Sequence, residues 1–309
     1  MNVTRRTFLG TTAAAVTASG ASAMPTRVLG RTGAKVSVLV FGCGSRFLQY
    51  ENPDKAAEAI HRALDSGITY FDTAASYGDG KSEQWLSRAL EGRRKGIWVT
   101  TKITERDGDG AVRRLEQSIK TLGHVDMVHI HSLSTADDLA RIEAKGAVLE
   151  RFLKLRDQKV VRAVGITSHT DPAVLKTALE RNDFDCTQMA LNAARQGFAK
   201  PERDPGGSFE SLALPVANRK NLGVIAMKIF AQEHLSGKAP ADKLITYSLS
   251  LPVTAVVVGM PKLEFLDANV QTAKSFRPMP ADEMKHMSRE LSGAYKVGID
   301  RDFLNHVDA

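Results

Sequence analysis

Short apolar runs rich in Val and Ile alternate along the chain with longer stretches whose apolar positions recur every three to four residues. The runs fall at residues 38–42, 68–72, 97–102, 125–131, 160–166, 186–191, 223–229 and 254–259. Their length and near-continuous hydrophobicity predict strands covered on both faces, as in a parallel sheet. Helical patterns follow at residues 53–66, 82–90, 110–122, 147–159, 172–181, 210–220, 242–250 and 263–272. Asn52 before Pro53 and Asp171 before Pro172 are helix-start signals, with proline at the first helical position. Eight strand–helix units with no Gly/Ser/Pro linker predict one α/β domain, a closed (β/α)8 TIM barrel rather than an open doubly wound sheet. Residues 24–42 read as an N-terminal β-hairpin turning at Gly30 and Gly33. Residues 273–309 read as a C-terminal extension with a helix near 282–291 and a polar tail.

Composition narrows the class without changing it. With 309 residues, 43% apolar and 25% charged, the chain is neither a disordered tail nor a disulfide-stapled mini-protein. The formal charge of +7 is spread without a long Lys/Arg run, so no nucleic-acid partner is expected. Arg31 and Lys35, at the hairpin tip, read as solvated cations. Two cysteines, Cys43 and Cys186, are too few for a disulfide framework. The first follows a strand and the second opens one, which puts them at opposite ends of the barrel and predicts free thiols.

The first 23 residues carry a different signal. Thr4-Arg5-Arg6-Thr7-Phe8-Leu9 resembles the twin-arginine export signature, and a mild Ala/Thr-rich stretch follows it. That stretch is too short and too polar for stable membrane insertion. Ala21-Ser22-Ala23 fits the small-x-small pattern of signal peptidase. The segment predicts a signal peptide over 1–23, the twin-arginine machinery as a partner, export to a bacterial periplasm, and a mature domain over 24–309.

Active sites of such barrels lie where strands end and loops begin. Asp72 ends the second predicted strand, Tyr77 follows in its loop, Lys102 ends the third and His131 the fourth. Singly, each has an ordinary structural explanation: a loop cap, a packing aromatic, a solvated cation, a structural imidazole. Together on three adjacent strands they mark a candidate site.

The segment from Phe71 to Glu83, Phe-Asp-Thr-Ala-Ala-Ser-Tyr-Gly-Asp-Gly-Lys-Ser-Glu, resembles the signature of the aldo-keto reductases. Thr101-Lys102, the pair Asp126 and His131, Arg162–Ser168 and Gln188–Asn192 follow in the family's order, so the similarity spans most of residues 26–269. The resemblance implies reduction of an aldehyde or ketone with NADPH, NADH being possible, and a small carbonyl compound as substrate. Tyr77 would be the proton donor, Lys102 would ease release of its proton, Asp72 would hold Lys102, and His131 would bind the substrate oxygen. No side chain donates hydride, which requires a nicotinamide. By the same resemblance Thr167, Ser168 and Gln188 are expected to contact the carboxamide. Met227 takes the place of a ring-stacking Tyr, and Gly44 belongs to a Gly-x-Gly turn (Gly42-Cys43-Gly44) that eases close approach of backbone. Near the last strand the family's phosphate-binding cations are largely replaced. Lys262 and Asn269 remain, with Phe265 where an Arg is common, which implies only a modest preference for NADPH.

Two other readings stand beside this one. His129 and His131, two apart on a strand, share a face and suit a metal hydrolase if further ligands join them. An exported, non-catalytic binding protein on the same barrel is the second. Loops at the catalytic face set specificity, and Phe47 and Phe198 are candidates to line an apolar pocket.

Overall fold

The protein was analysed as a computed structural model, which describes residues 23–197, 207–304 and 306. The export signature and Phe198 lie outside the described residues.

Eight parallel strands close into a barrel: β3 (Leu39–Gly42), β4 (Tyr70–Asp72), β5 (Trp98–Ile103), β6 (Met127–Ile130), β7 (Ala163–Ser168), β8 (Cys186–Ala190), β9 (Gly223–Met227) and β10 (Ala255–Gly259), which pairs back to β3. All eight match the predicted runs, as does the hairpin of β1 (Thr26–Val28) and β2 (Lys35–Ser37) that precedes them. Around the barrel lie α1 (Pro53–Asp65), α2 (Lys81–Ala89), α3 (Gly108–Leu122), α4 (Ala136–Glu143), α5 (Val148–Asp157), α6 (Pro172–Arg181), α7 (Leu214–Arg219), α8 (Ala241–Ser250) and α9 (Leu263–Lys274). α10 (Ala281–Phe303) follows as the C-terminal extension. Among the described residues no helix is long and apolar enough to cross a membrane.

The helix starts follow the expected chemistry. Asn52 Oδ1 accepts from the backbone N–H groups of Asp54 and Lys55, and Asp171 Oδ1 from those of Ala173 and Val174. Two helices depart from the pattern. α4, started by Thr135 Oγ1 accepting from Asp138 N–H, is only 8 residues long, too short for its period to stand out. α10 runs 23 residues, well past its apolar segment. Tertiary bonds hold its second half: Gly197 N–H donates to Asp300 Oδ1 and Lys296 Nζ to the Arg195 carbonyl.

The hairpin plugs the N-terminal end of the barrel. Leu29 and Val36 join Tyr70, Trp98, Met127, Cys186 and Ile225 in a floor cluster inside the sheet. At the turn, a Cβ on Gly30 (φ +48°) would stand 2.1 Å from the Gly223 nitrogen, so only glycine lets the two backbones meet. Arg31 corrects the sequence reading. Exposed like Lys35, it is nonetheless a clamp, paired with Asp183 at 2.7 Å and Asp185 at 3.1 Å. Local sequence does not announce this because the partners lie about 150 residues away. Cys43 and Cys186 are both buried and free. Phe47 is fully buried in the outer core, edge-on to Phe41 and Trp85, and lines no pocket.

Candidate active site

Strand alternation aims the chemistry inward. On β4, Tyr70 belongs to the floor, Phe71 to the outer core, and Asp72 faces the barrel interior above Tyr70. On β5 the same period carries Trp98, Thr100 and Lys102 up the inside. Asp72 pairs in register with Thr100, so the long Lys102 side chain reaches back to it. Lys102 Nζ donates to Asp72 Oδ2 at 2.7 Å, to the Thr73 carbonyl at 2.8 Å and to the Tyr77 hydroxyl oxygen at 3.4 Å. At 1% exposure for Lys102 and 3% for Asp72, this is a charge pair shielded from water, and all three ammonium protons have acceptors.

Tyr77 is placed by the loop after β4. Ser82 Oγ donates to the Cys43 carbonyl at 2.5 Å and stands 2.7 Å from Thr73 Oγ1, tying that loop to the end of β3. Gly78 and Gly80 take positive φ to turn the chain into α2. Gly44 packs beside the phenol: a Cβ there would lie 3.5 Å from the Tyr77 ring.

His131 follows β6, edge-on to Tyr77 with ring centroids 5.8 Å apart. Its carbonyl accepts from Arg106 Nη2 at 2.8 Å, and Arg106 grips Asp138 with two bonds of 2.9 Å. Burial alone would raise the Asp138 carboxyl, but the Arg106 bonds and charge outweigh it and hold the group below its ordinary value.

His129 also faces inward, as the two-residue spacing requires. A Cβ on Gly165 of the neighbouring strand would come within 2.4 Å of its ring. Burial above all, then the charges of Lys102 and His131, push its imidazole well below the ordinary value and keep it neutral. Among the described residues no group of three or more His, Cys, Asp or Glu could hold a metal ion.

A cavity of about 250 Å³ opens above these residues at the C-terminal ends of the strands. It brings together Asp72, Tyr77, Lys102, His131, Gly44, Thr167, Gln188 and Met227. Ser168, Lys262 and Asn269 do not line it. Ser168 points outward by strand alternation, and its hydroxyl donates to the Leu133 carbonyl at 2.7 Å. Lys262 is an exposed residue just before α9, Asn269 is buried within that helix, and Phe265 is 51% exposed. The cavity also has walls that the sequence reading missed. Arg46 pairs with Glu233 at 3.0 Å, and His306 stands 3.0 Å from Lys228 Nζ and 2.8 Å from Gln232 Nε2. Lys228, directly after Met227 at a strand end, carried a positional signal; His306 comes from beyond α10 and carried none.

Comparison with known proteins agrees with this geometry. The profile of the Aldo/keto reductase family matches residues 38–248. An uncharacterized oxidoreductase of Bacillus subtilis, YqkF, is 23% identical over 88% of this chain and 100% of its own. A pyridoxal 4-dehydrogenase of Microbacterium luteolum is 25% identical over 65% of this chain and 72% of its own. Among solved structures, the holo form of aldo-keto reductase AKR11C1 from Bacillus halodurans superposes with a TM-score of 0.72 at 24% identity, covering 90% of this chain and 99% of that one. An aldo-keto reductase from Klebsiella pneumoniae in complex with NADPH has a TM-score of 0.67 at 19% identity, covering 89% and 97%. With its family profile matched over more than half its length, the chain belongs to the aldo/keto reductase family.

Proposed function

We propose that the protein reduces an aldehyde or ketone to an alcohol with a nicotinamide cofactor, Tyr77 giving the proton. The observation that carries this is the buried Asp72–Lys102 pair reaching the Tyr77 oxygen beside His131. Because the Tyr77 oxygen accepts from the Lys102 ammonium, a positive charge stands beside the oxygen on which negative charge develops as the phenol gives up its proton. Asp72 pairs with Lys102 and holds it in place in the barrel interior. His131 donates to the carbonyl oxygen and stabilises the charge that develops there.

The residues fit a nicotinamide dinucleotide. Gln188 Nε2 donates to Asp72 Oδ2 at 3.3 Å, while its Oε1, buried in the cavity lining, has no partner among the described residues. That acceptor suits a carboxamide NH₂. Thr167 Oγ1 accepts from Ser132 N–H at 2.7 Å and keeps its proton to donate. The Met227 thioether lines the same cavity and would cover one ring face. When bound, the cofactor supplies the hydride that no side chain can. NADPH is favoured modestly over NADH, with Lys262 as the phosphate cation near the start of α9. Oxidation of NADPH in the presence of a panel of small aldehydes and ketones tests the reading, and a binding protein without turnover would overturn it.

The export reading belongs to the same proposal: residues 1–23 direct the domain at 24–309 through the twin-arginine route to the periplasm. It rests on Arg5-Arg6 and on Ala21-Ser22-Ala23. Replacing Arg5 and Arg6 by Lys should leave the protein in the cytoplasmic fraction; unchanged fractionation refutes it.

A further inference from the structure

At the opposite end of the barrel from the candidate active site lies a recess of about 460 Å³. Lys35, Arg94, Lys95, Trp98, His124 and Arg162 line it around Asp126. Four permanent cations thus face one carboxylate, and that carboxylate is already used. Asp126 Oδ2 accepts from Arg94 Nη2 at 2.7 Å and from Val99 N–H at 2.9 Å, and Oδ1 accepts from Arg162 Nη1 at 3.1 Å. Lys35 and Lys95 are exposed and enter no ion pair among the described residues. The Arg162 guanidinium stacks on the Trp98 ring, 4.6 Å from its centroid.

A second, independent observation points to a ligand. Trp98 is 4% exposed, yet its indole N–H has no acceptor among the described residues, and neither has Arg94 Nε. A buried donor left unmade is costly and rare. Apart from Asp126 and the His124 imidazole, which stands 3.6 Å from Asp126 Oδ2, the side-chain polar groups around this recess are donors: two ammonium groups, two guanidinium groups and an indole N–H. Its complement is a group made only of acceptors, and the surplus of positive charge selects a dianion over a monoanion.

We propose that this recess binds the phosphoryl group of a small ligand, its oxygens held by Lys35, Lys95 and Arg162. The site is separate from the catalytic cavity, because Trp98 and Lys102 are four residues apart on β5, a rise of about 13 Å.

The chain has two tryptophans, so Trp85→Phe leaves Trp98 as the sole reporter. In that background, inorganic phosphate at constant ionic strength should give a saturable change in fluorescence that chloride and acetate do not give. Lys35→Met with Lys95→Met, both exposed and outside the core, should raise the apparent Kd about tenfold or more. Arg162→Met should act in the same direction, and Lys228→Met, in the other cavity, should have no effect. A phosphate response equal to that of chloride means screening only and overturns the proposal. So does an unchanged Kd in the Lys35/Lys95 variant, or a response abolished by Lys228→Met.

Discussion

The two ends of the barrel use charge in opposite ways. At the N-terminal end, side chains just ahead of strands bond the backbone of an earlier strand. Asp126 accepts from Val99 N–H, Asp185 from Val164 N–H, Thr69 from Ser37 N–H and Thr254 from Val224 N–H. Both aspartates are also gripped by arginines, Asp126 by Arg94 and Arg162, Asp185 by Arg31 and Arg156. At the C-terminal end the buried charges bond mainly one another and face a cavity, as Asp72 and Lys102 do. Backbone strain follows the same division. Seven of the nine non-glycine residues with positive φ, among them Ser132 and Lys228, sit in loops at the catalytic end. One end spends its polar groups on holding strands together; the other turns its groups into a cavity.

The sharpest way to break this contrast is to delete one hydroxyl at the catalytic end. Tyr77→Phe should lower turnover by about 10²–10⁴-fold while cofactor affinity and thermal midpoint stay near wild type. Steady-state NADPH oxidation beside calorimetry separates the two readouts. Retention of more than about a tenth of wild-type turnover would remove Tyr77 from the role of acid.

The matching change at the other end is Asp126→Ala. It strips the Val99 N–H of its side-chain acceptor and leaves Arg94, with a side chain only 19% exposed, without its ion pair. Loss of one partner of a buried pair costs about 3–5 kcal/mol, and the exposure of Arg162 puts this case at the lower end. Urea unfolding should show that loss, while kcat of the folded fraction stays within about twofold of wild type, since Asp126 lies at the far end of the barrel. A large fall in kcat with little loss of stability would mean that the two ends are coupled.

The meeting of Asp72, Tyr77, Lys102 and His131 at one cavity was legible because strand period and strand ends are local facts. Once Val125–His131 reads as a strand, His129 and His131 must share a face and Asp126 must sit at the N-terminal end of the strand. The same rule, applied one residue further, would have turned Ser168 outward and away from the cavity. What stayed hidden was long-range. Arg31 finds Asp183 and Asp185, Arg46 finds Glu233, and His306 finds Lys228, each across 78 to 187 residues of chain. No periodicity encodes such meetings. They follow from the closure of the barrel and from the chain after α10 returning to the cavity.

A pH titration sharpens the comparison within the barrel interior. The folded-state pKa of His129 lies well below its ordinary value of 6.5, chiefly through burial. The unfolded chain therefore takes up the proton first, so the stability present above about pH 6.5 is lost as the pH falls. One such group contributes a slope of at most about 1.4 kcal/mol per pH unit. His129→Gln should flatten the curve of unfolding free energy against pH by about that amount between pH 6.5 and 5. Parallel curves for the two proteins would show that His129 is protonated in the folded state.

The smallest effect marks where the catalytic end stops. Lys262 lies outside the cavity lining, exposed at the start of α9, and no arginine fork accompanies it where Phe265 stands. A single exposed ammonium acting on a phosphate contributes about 0.2–1 kcal/mol, a factor of roughly five at most. Lys262→Ala should therefore weaken NADPH by up to about fivefold and leave NADH unchanged, and the difference should shrink as salt is raised. Dissociation constants for both cofactors, measured at two ionic strengths, decide it. An equal effect on both cofactors would make Lys262 a cap of α9 and nothing more. A much larger and salt-insensitive effect on NADPH would extend the phosphate site across the rim and make this end of the barrel wider than its cavity.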